Sequence, residues 1–380
     1  MHMVAMGQSP YCQPGMEKHF RHNALFVGGS TRKAVEEGRA DYTPCFFHEA
    51  PKLFKEGLLK VDVVFLQLSE PDENGNCSFG ISVDYTQPAA EAATLKIAQI
   101  NKNMPYTYGN GINIKDIDYI VEKDEPLIEL QPPHIGDVEK QIGGYVASLI
   151  HDGDTLQLGI GAIPDAVLSF LGEKKDLGIH SEMFSDGVVD LANKGVITNK
   201  KKTIDQGKFV SCFLMGTKKL YDFVNNNPDV LMKPVDYTND PFVVAQIDNI
   251  ISINSAMQVD LMGQVNAEMI GSRQFSGVGG QVDFVRGASR AKGGKAIIAM
   301  PSTTGKTKKI SKIVALLDEG AAVTTSRNDV DYVVTEYGIA ALKGKTLRQR
   351  AETLIKIAHP DFRAELIEEF EKRFHCKFEG

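Results

Sequence analysis

Glu182 stands in the run Leu177-Gly-Ile-His-Ser-Glu-Met-Phe-Ser-Asp-Gly187, shortly after the glycine-rich loop Gly159-Ile-Gly-Ala-Ile-Pro164. Glycine lets backbone approach a ligand closely, so a carboxylate beside such a loop is a candidate nucleophile at a ligand site. By residue type alone, Glu182 reads more simply as a surface or helix-capping carboxylate. A second glycine cluster, Phe275-Ser-Gly277-Val-Gly279-Gly280-Gln-Val-Asp283, combines close backbone approach with available amides, as an oxyanion pocket requires. A glycine-rich turn between strands has the same composition. Asn239, in Lys233-Pro-Val-Asp-Tyr-Thr-Asn239-Asp-Pro241, is either a turn residue before the Asp-Pro pair or a side-chain amide donor.

Other motifs fail on a single residue. Gly159-x-Gly161-x-x-Pro164 has the start of a dinucleotide fingerprint, but proline replaces its third glycine. Gly305-Lys306-Thr307 looks like the end of a nucleotide P-loop, yet Met300 stands where the first glycine belongs. His48-Glu49 opens like a zinc-protease helix, but Lys52 takes the place of the second histidine and Pro51 interrupts the helix, so no metal site is expected. The cysteines Cys12, Cys45, Cys77, Cys212 and Cys376 form no Cys-x-x-Cys pair, and their odd number cannot close a disulfide framework; reduced, buried thiols are expected.

Positioning such residues calls for alternating strands and helices. Strand-like runs at 61–68, 117–121, 155–158, 208–214, 249–253, 296–300 and 321–325 alternate with helical stretches at 89–100, 135–151, 165–171 and 362–374, the pattern of parallel sheets with crossover helices. The strand at 155–158 runs straight into the first glycine loop, which puts that loop at the carboxyl end of a strand, where open α/β sheets bind ligands. The segment 124–133 carries three prolines and no helical period, and reads as a linker between two domains, 1–133 and 134–380. A chain of 380 residues is long for one core, in keeping with that division.

With 42% hydrophobic and 24% charged residues, the composition is that of an ordinary globular protein, and the net charge of -7 argues against a nucleic-acid partner. A small anion held by local lysines is compatible with it. No run approaches about 18 uninterrupted apolar residues, and Met1 to Met6 has no basic leader, so a cytoplasmic protein with no membrane span is expected.

Taken together, the runs Leu156 to Val167, Gly178-Ile-His-Ser-Glu-Met183, Phe275 to Phe284 and Asp331-Tyr-Val-Val-Thr-Glu-Tyr-Gly-Ile-Ala340 resemble the acetyl-CoA hydrolase and transferase family, and within it the branch acting on 4-hydroxybutyrate and butyrate. The likeness extends from Phe46-Phe-His-Glu-Ala50 to Ala358-His-Pro-Asp-Phe362. It implies an α/β fold of two open, mostly parallel-sheet domains of the CoA-transferase type, the first shortened at its amino end. It also implies that Glu182 is the catalytic glutamate. Gly159, Ile160, Gly161, Ala162, Ile163 and Pro164, with Gly277 and Gly279, would approach CoA, and Asn239 and the Gly280 amide would be oxyanion donors.

The chemistry so implied passes CoA between carboxylic acids through a glutamyl-CoA thioester, with acyl-CoA and short-chain carboxylates as substrates and no permanently bound cofactor. A homodimer or higher homo-oligomer is implied as well. Two other readings stay open: an acyl-CoA hydrolase using the same glutamate, and a non-catalytic CoA- or dinucleotide-binding protein. Arg273, Arg286, Arg290, Lys292, Lys306, Lys308 and Lys309 lie near these motifs in sequence, and each fits either a CoA contact or solvated surface charge.

Overall fold

The structure is a computed structural model that describes residues 1–3, 6–305 and 307–379, so Lys306 lies outside the described residues. It is a mixed α/β protein with parallel sheets. Two compact units divide it: one takes residues 1–46, 254–285 and 296–380, the other residues 47–253 and 286–295. These units are assembled from interleaved segments, whereas the expected division cuts the chain once, at 133.

The second unit holds two sets of parallel strands. In the first, Val63–Leu68 pairs with Leu95–Ile100, which pairs with Tyr119–Glu122. Alternation along these strands buries Leu66, Leu68, Ala98 and Ile100 on one face. The other face carries Phe65, Tyr119 and Val121, all exposed. The helix expected over 89–100 is instead a helix at Thr86–Ala92 followed by the strand Leu95–Ile100. Its alanines are the buried helical part, while the backbone amides of Thr94 and Leu95 bond to Val61 and Asp62 and draw the rest into the sheet.

The other set centres on Thr155–Leu158, entirely buried, with Ile250–Asn254 on one side and Gly178–Ile179 on the other, both parallel to it. Directly after Gly178–Ile179, His180 makes a parallel bridge to Val210 in the strand Phe209–Ser211, which pairs with Val230–Met232. Continuous burial of apolar strands is what a parallel sheet covered on both faces requires. The segment 124–133 has no regular structure, but it runs within this second unit. The Leu130 amide bonds to the Gly216 carbonyl at 2.9 Å, and the Tyr221 hydroxyl to the Ile128 carbonyl at 2.8 Å.

In the first unit, Tyr332–Thr335 lies parallel to Lys295–Ala299 and forms a hairpin with Gly338–Ala341. The helices Leu347–Ile357 and Pro360–Phe374 bury Leu354, Ile355, Leu366 and Phe370 in the same core as Ile298 and Val333. Thr346 and Gln349 form a capping box at the start of the first of these helices. The strand expected over 321–325 is reduced to one bridge, in which Thr325 and Val265 exchange both backbone hydrogen bonds. Of the five thiols, Cys12, Cys77 and Cys212 are buried as expected, while Cys45 and Cys376 are partly exposed. No helix among the described residues is long and apolar enough to cross a membrane.

Candidate active site

Strand Thr155–Leu158 ends at the glycine loop, and Gly178–Ile179 beside it ends just before Glu182, so loop and carboxylate leave the same carboxyl edge of adjacent parallel strands. The helix after the loop is Ala162–Ser169, three residues earlier than expected. Ala162, Ile163 and Pro164 therefore form its first turn, and only Gly159, Ile160 and Gly161 remain as loop. Pro164 is tolerated there because first-turn amides have no intrahelical partner.

Gly161 has φ 120° and ψ 177°, a conformation side chains rarely adopt, and a Cβ on either Gly159 or Gly161 would meet nothing within 4 Å. The bare backbone thus faces open space beside the positive end of a helix dipole. Gly143, on helix Asp137–Ser148, fixes the helix from behind, since a Cβ at Gly143 would lie 2.9 Å from the Ala166 carbonyl carbon.

Ile160 and Gly161 border a cavity of about 520 Å³ whose walls include Ser185, Asp186 and the 130–133 segment. Burial pushes the Asp165 carboxyl above its ordinary range, and the Ser185 hydroxyl donates to it at 2.9 Å. Asp186 accepts from the Thr217 amide and hydroxyl at 3.0 and 2.6 Å. Lys219, the cation on this wall, is paired with Asp190.

The Glu182 backbone is fixed from several sides. Ser181, fully buried, donates its hydroxyl to the Leu158 carbonyl at 3.0 Å and accepts from the Leu158 amide at 3.3 Å. The Glu182 carbonyl accepts from the Cys212 and Phe213 amides, both at 3.1 Å, from the Ser211 hydroxyl at 3.0 Å and from the Cys212 thiol at 3.2 Å. Its half-buried side chain accepts at Oε2 from Asn239 Nδ2 at 2.8 Å.

Asn239 is fully buried at the end of the short helix Val235–Thr238, and its amide N–H closes the last turn onto Val235. Asp240 caps the following turn, Pro241–Val244, by accepting from the Phe242 amide. Asn239 thus ends one helical turn and donates its side-chain amide as well.

Gly277, Gly279 and Gly280 belong to the first unit. A Cβ on Gly277 would lie 3.0–3.3 Å from Phe26 and Leu25 atoms, and one on Gly279 would lie 3.4 Å from the Phe26 ring, so both glycines admit close packing against Phe26. Gly280 is buried just ahead of helix Gln281–Arg290, and its carbonyl accepts from the Phe284 amide. Of the cations that lie near these motifs in sequence, Arg273 pairs with Glu36, Lys292 with Asp248 and Lys309 with Asp361. Sequence reasoning does not point to His180, Ser181 or Ser211 as site residues, and it reads Cys212 only as a buried thiol. His180 and Ser181 lie within the Glu182 run itself, while the Ser211-Cys212 pair carries no signal beyond being polar residues in a buried strand.

Residues 2–131 match the acetyl-CoA hydrolase/transferase N-terminal domain, and residues 216–370 match the C-terminal domain of the same family. The chain is 68% identical over 375 residues to the 4-hydroxybutyrate coenzyme A transferase of Clostridium kluyveri, covering 98% of this chain and 87% of that protein. A crystal structure of 4-hydroxybutyrate CoA-transferase from Porphyromonas gingivalis is similar with a TM-score of 0.81 and 46% identity, covering 98% of this chain and 93% of that one. RipA from Yersinia pestis is similar with a TM-score of 0.88 and 39% identity, covering 95% and 83%. The chain belongs to the acetyl-CoA hydrolase/transferase family.

Proposed function

We propose that this protein is a CoA-transferase that moves CoA from a short acyl-CoA, acetyl-CoA or butyryl-CoA, to a short carboxylic acid, with 4-hydroxybutyrate, butyrate and acetate as the acids of first choice. The observation that carries the reading is the Glu182–Asn239 hydrogen bond at the carboxyl edge of parallel strands, beside an open glycine loop. The high identity to a 4-hydroxybutyrate coenzyme A transferase supports the choice of acid.

The Glu182 carboxylate attacks the thioester carbonyl, and collapse of the adduct breaks the C–S bond to leave a mixed anhydride and CoA thiolate. The thiolate attacks the glutamyl carbonyl, giving a glutamyl-CoA thioester and expelling the first acid as its carboxylate. An incoming carboxylate runs both steps in reverse, so the kinetics are ping-pong. Each addition places negative charge on an oxygen, and a donor aimed at that charge works mainly in the transition state. Asn239 Nδ2, which already meets a Glu182 oxygen, is suited to follow that oxygen when the charge reappears on the glutamyl adduct. The protein works, on this reading, as a cytoplasmic homo-oligomer without a resident cofactor.

The test is an exchange assay with acetyl-CoA and butyryl-CoA against a panel of short acids that includes 4-hydroxybutyrate. Acyl exchange that requires the acid supports transfer. Release of CoA thiol at the same rate without acid would make the protein a hydrolase, and CoA binding without either reaction would make it a binding protein.

A further inference from the structure

We propose that His180 is a positioning residue for CoA transfer, holding Asn239 against Glu182 by way of the Thr238 backbone; the inference rests on the reading of Glu182 as the nucleophile. The contacts close into a ring. From Glu182 the chain runs back through Ser181 to His180, whose Nε2 lies 2.9 Å from the Thr238 carbonyl oxygen. Thr238 is followed by Asn239, and Asn239 Nδ2 returns to Glu182 Oε2 at 2.8 Å. A carbonyl oxygen only accepts, so the imidazole proton of this bond sits on Nε2. His180 is fully buried, and burial, reinforced by the nearby Lys202 charge, lowers its pKa to about 3, which keeps the ring neutral at working pH.

The two ends of this bond differ in rigidity. His180 continues a buried parallel strand: its amide bonds to the Leu156 carbonyl, and Ser181 is tied to both Leu158 and Val210. Thr238 ends a helix of four residues, too short to be stable by its own hydrogen bonds, and the chain beyond it leaves through Asp240 and Pro241. The imidazole therefore transmits the position of the sheet to the segment that carries Asn239. Titratable groups lie near the ring. Tyr237 is 6.3 Å away centroid to centroid, its hydroxyl donates to Asp205 at 2.8 Å, and the Lys233 ammonium lies 3.9 Å over the Tyr237 ring. Lys202 Nζ donates to the Ile179 and Lys208 carbonyls.

Steady-state exchange kinetics of His180→Leu, His180→Gln, Asn239→Ala and the double variant His180→Leu/Asn239→Ala test the assignment. His180→Leu should lower kcat by about 10- to 100-fold with KM for acyl-CoA within about twofold, the signature of an interaction needed in the transition state. His180→Gln, whose side-chain amide can donate from nearly the same place, should recover to within about fivefold of the unsubstituted protein. In the Asn239→Ala background, His180→Leu should cost less than about twofold more, because residues acting through one another are not additive. Multiplicative losses in the double variant, a folded His180→Gln no better than His180→Leu, or an effect confined to KM would each overturn the proposal. Should His180→Leu not fold, the imidazole ¹⁵N spectrum of the unsubstituted protein decides: a proton on Nε2 supports the bond to Thr238, and one on Nδ1 overturns it. Lack of acid-dependent exchange in the unsubstituted protein would instead overturn the reading of Glu182, and that control is read first.

Discussion

Asn239 donates from Nδ2 to Glu182 Oε2 at 2.8 Å, across 57 residues of sequence, and the asparagine is fully buried while the glutamate is half-buried. The donor thus comes from a fixed interior position, while the acceptor belongs to a side chain that is only half-buried. The amide N–H takes the place of a water at one carboxylate oxygen.

The covalent chemistry proposed at Glu182 would leave a trace. Incubation with an acyl-CoA and no acceptor acid should accumulate a glutamyl-CoA thioester that hydroxylamine captures or borohydride reduces, and peptide mass spectrometry should find the label at Glu182 alone. Glu182→Gln should abolish trapping and lower exchange by at least about 10³-fold. A label on another carboxylate would remove Glu182 from the mechanism.

Asn239→Ala should lower turnover by about 10²–10³-fold while leaving the Michaelis constant for acyl-CoA nearly unchanged, as for loss of an oxyanion donor. Thermal unfolding measured beside the kinetics separates this from simple loss of a buried polar side chain. A change confined to the Michaelis constant would make the amide a ground-state contact.

Gly159→Ala probes the loop without disturbing the fold, because the added Cβ meets no protein atom within 4 Å. Its melting temperature should stay close to that of the unsubstituted protein while CoA binds more weakly by calorimetry. Gly161→Val should weaken CoA binding too, but with a stability cost of about 1–3 kcal/mol from the positive φ. Full CoA affinity in folded Gly159→Ala protein would place the ligand away from this loop.

Stability should fall with acid in part because of His180. Its folded pKa, about 3, is below the ordinary 6.5, so between these values the unfolded chain binds more protons; the contribution is complete above pH 6.5 and lost as pH falls toward 3. His22, lowered to about 4 mainly by burial, acts in the same direction, whereas Asp84, raised to about 6 by burial, acts in the opposite one. The comparison is therefore between the unsubstituted protein and His180→Gln, whose urea midpoints should converge as pH drops from 6.5 to about 4. Parallel midpoint curves would show that His180 is protonated as easily folded as unfolded.

Much of this site was legible in the residues. The glycine loop after a strand, the following helix and Glu182 nearby all stand in one stretch of sequence, whereas the role proposed for Glu182 comes from the resemblance to a family and not from spacing. Residue type leaves Asn239 between a turn and a donor because its partner is 57 residues away, and no spacing rule spans that distance. The contact of His180 is illegible in sequence for a related reason: its partner is a backbone carbonyl, and every residue has one. The helix read over 89–100 failed because alanines followed by Leu, Ile and Ala fit either period until sheet pairing to residues 61–68 decides. The compact units interleave because contacts between residues such as Tyr42 and Glu268, 226 positions apart, leave no local mark in the chain.

The carbonyl of Glu182, met by donors from Ser211, Cys212 and Phe213, has a consequence for the timing of the reaction. A peptide unit held this way cannot swing, so in the proposed mechanism the passage from carboxylate to anhydride to thioester would run on rotations of side-chain bonds alone, which for exposed groups are complete in picoseconds to nanoseconds. The clock of the cycle then belongs to bond making and to the arrival and departure of acids. Solvent viscosity should slow it only as far as diffusion of those acids does.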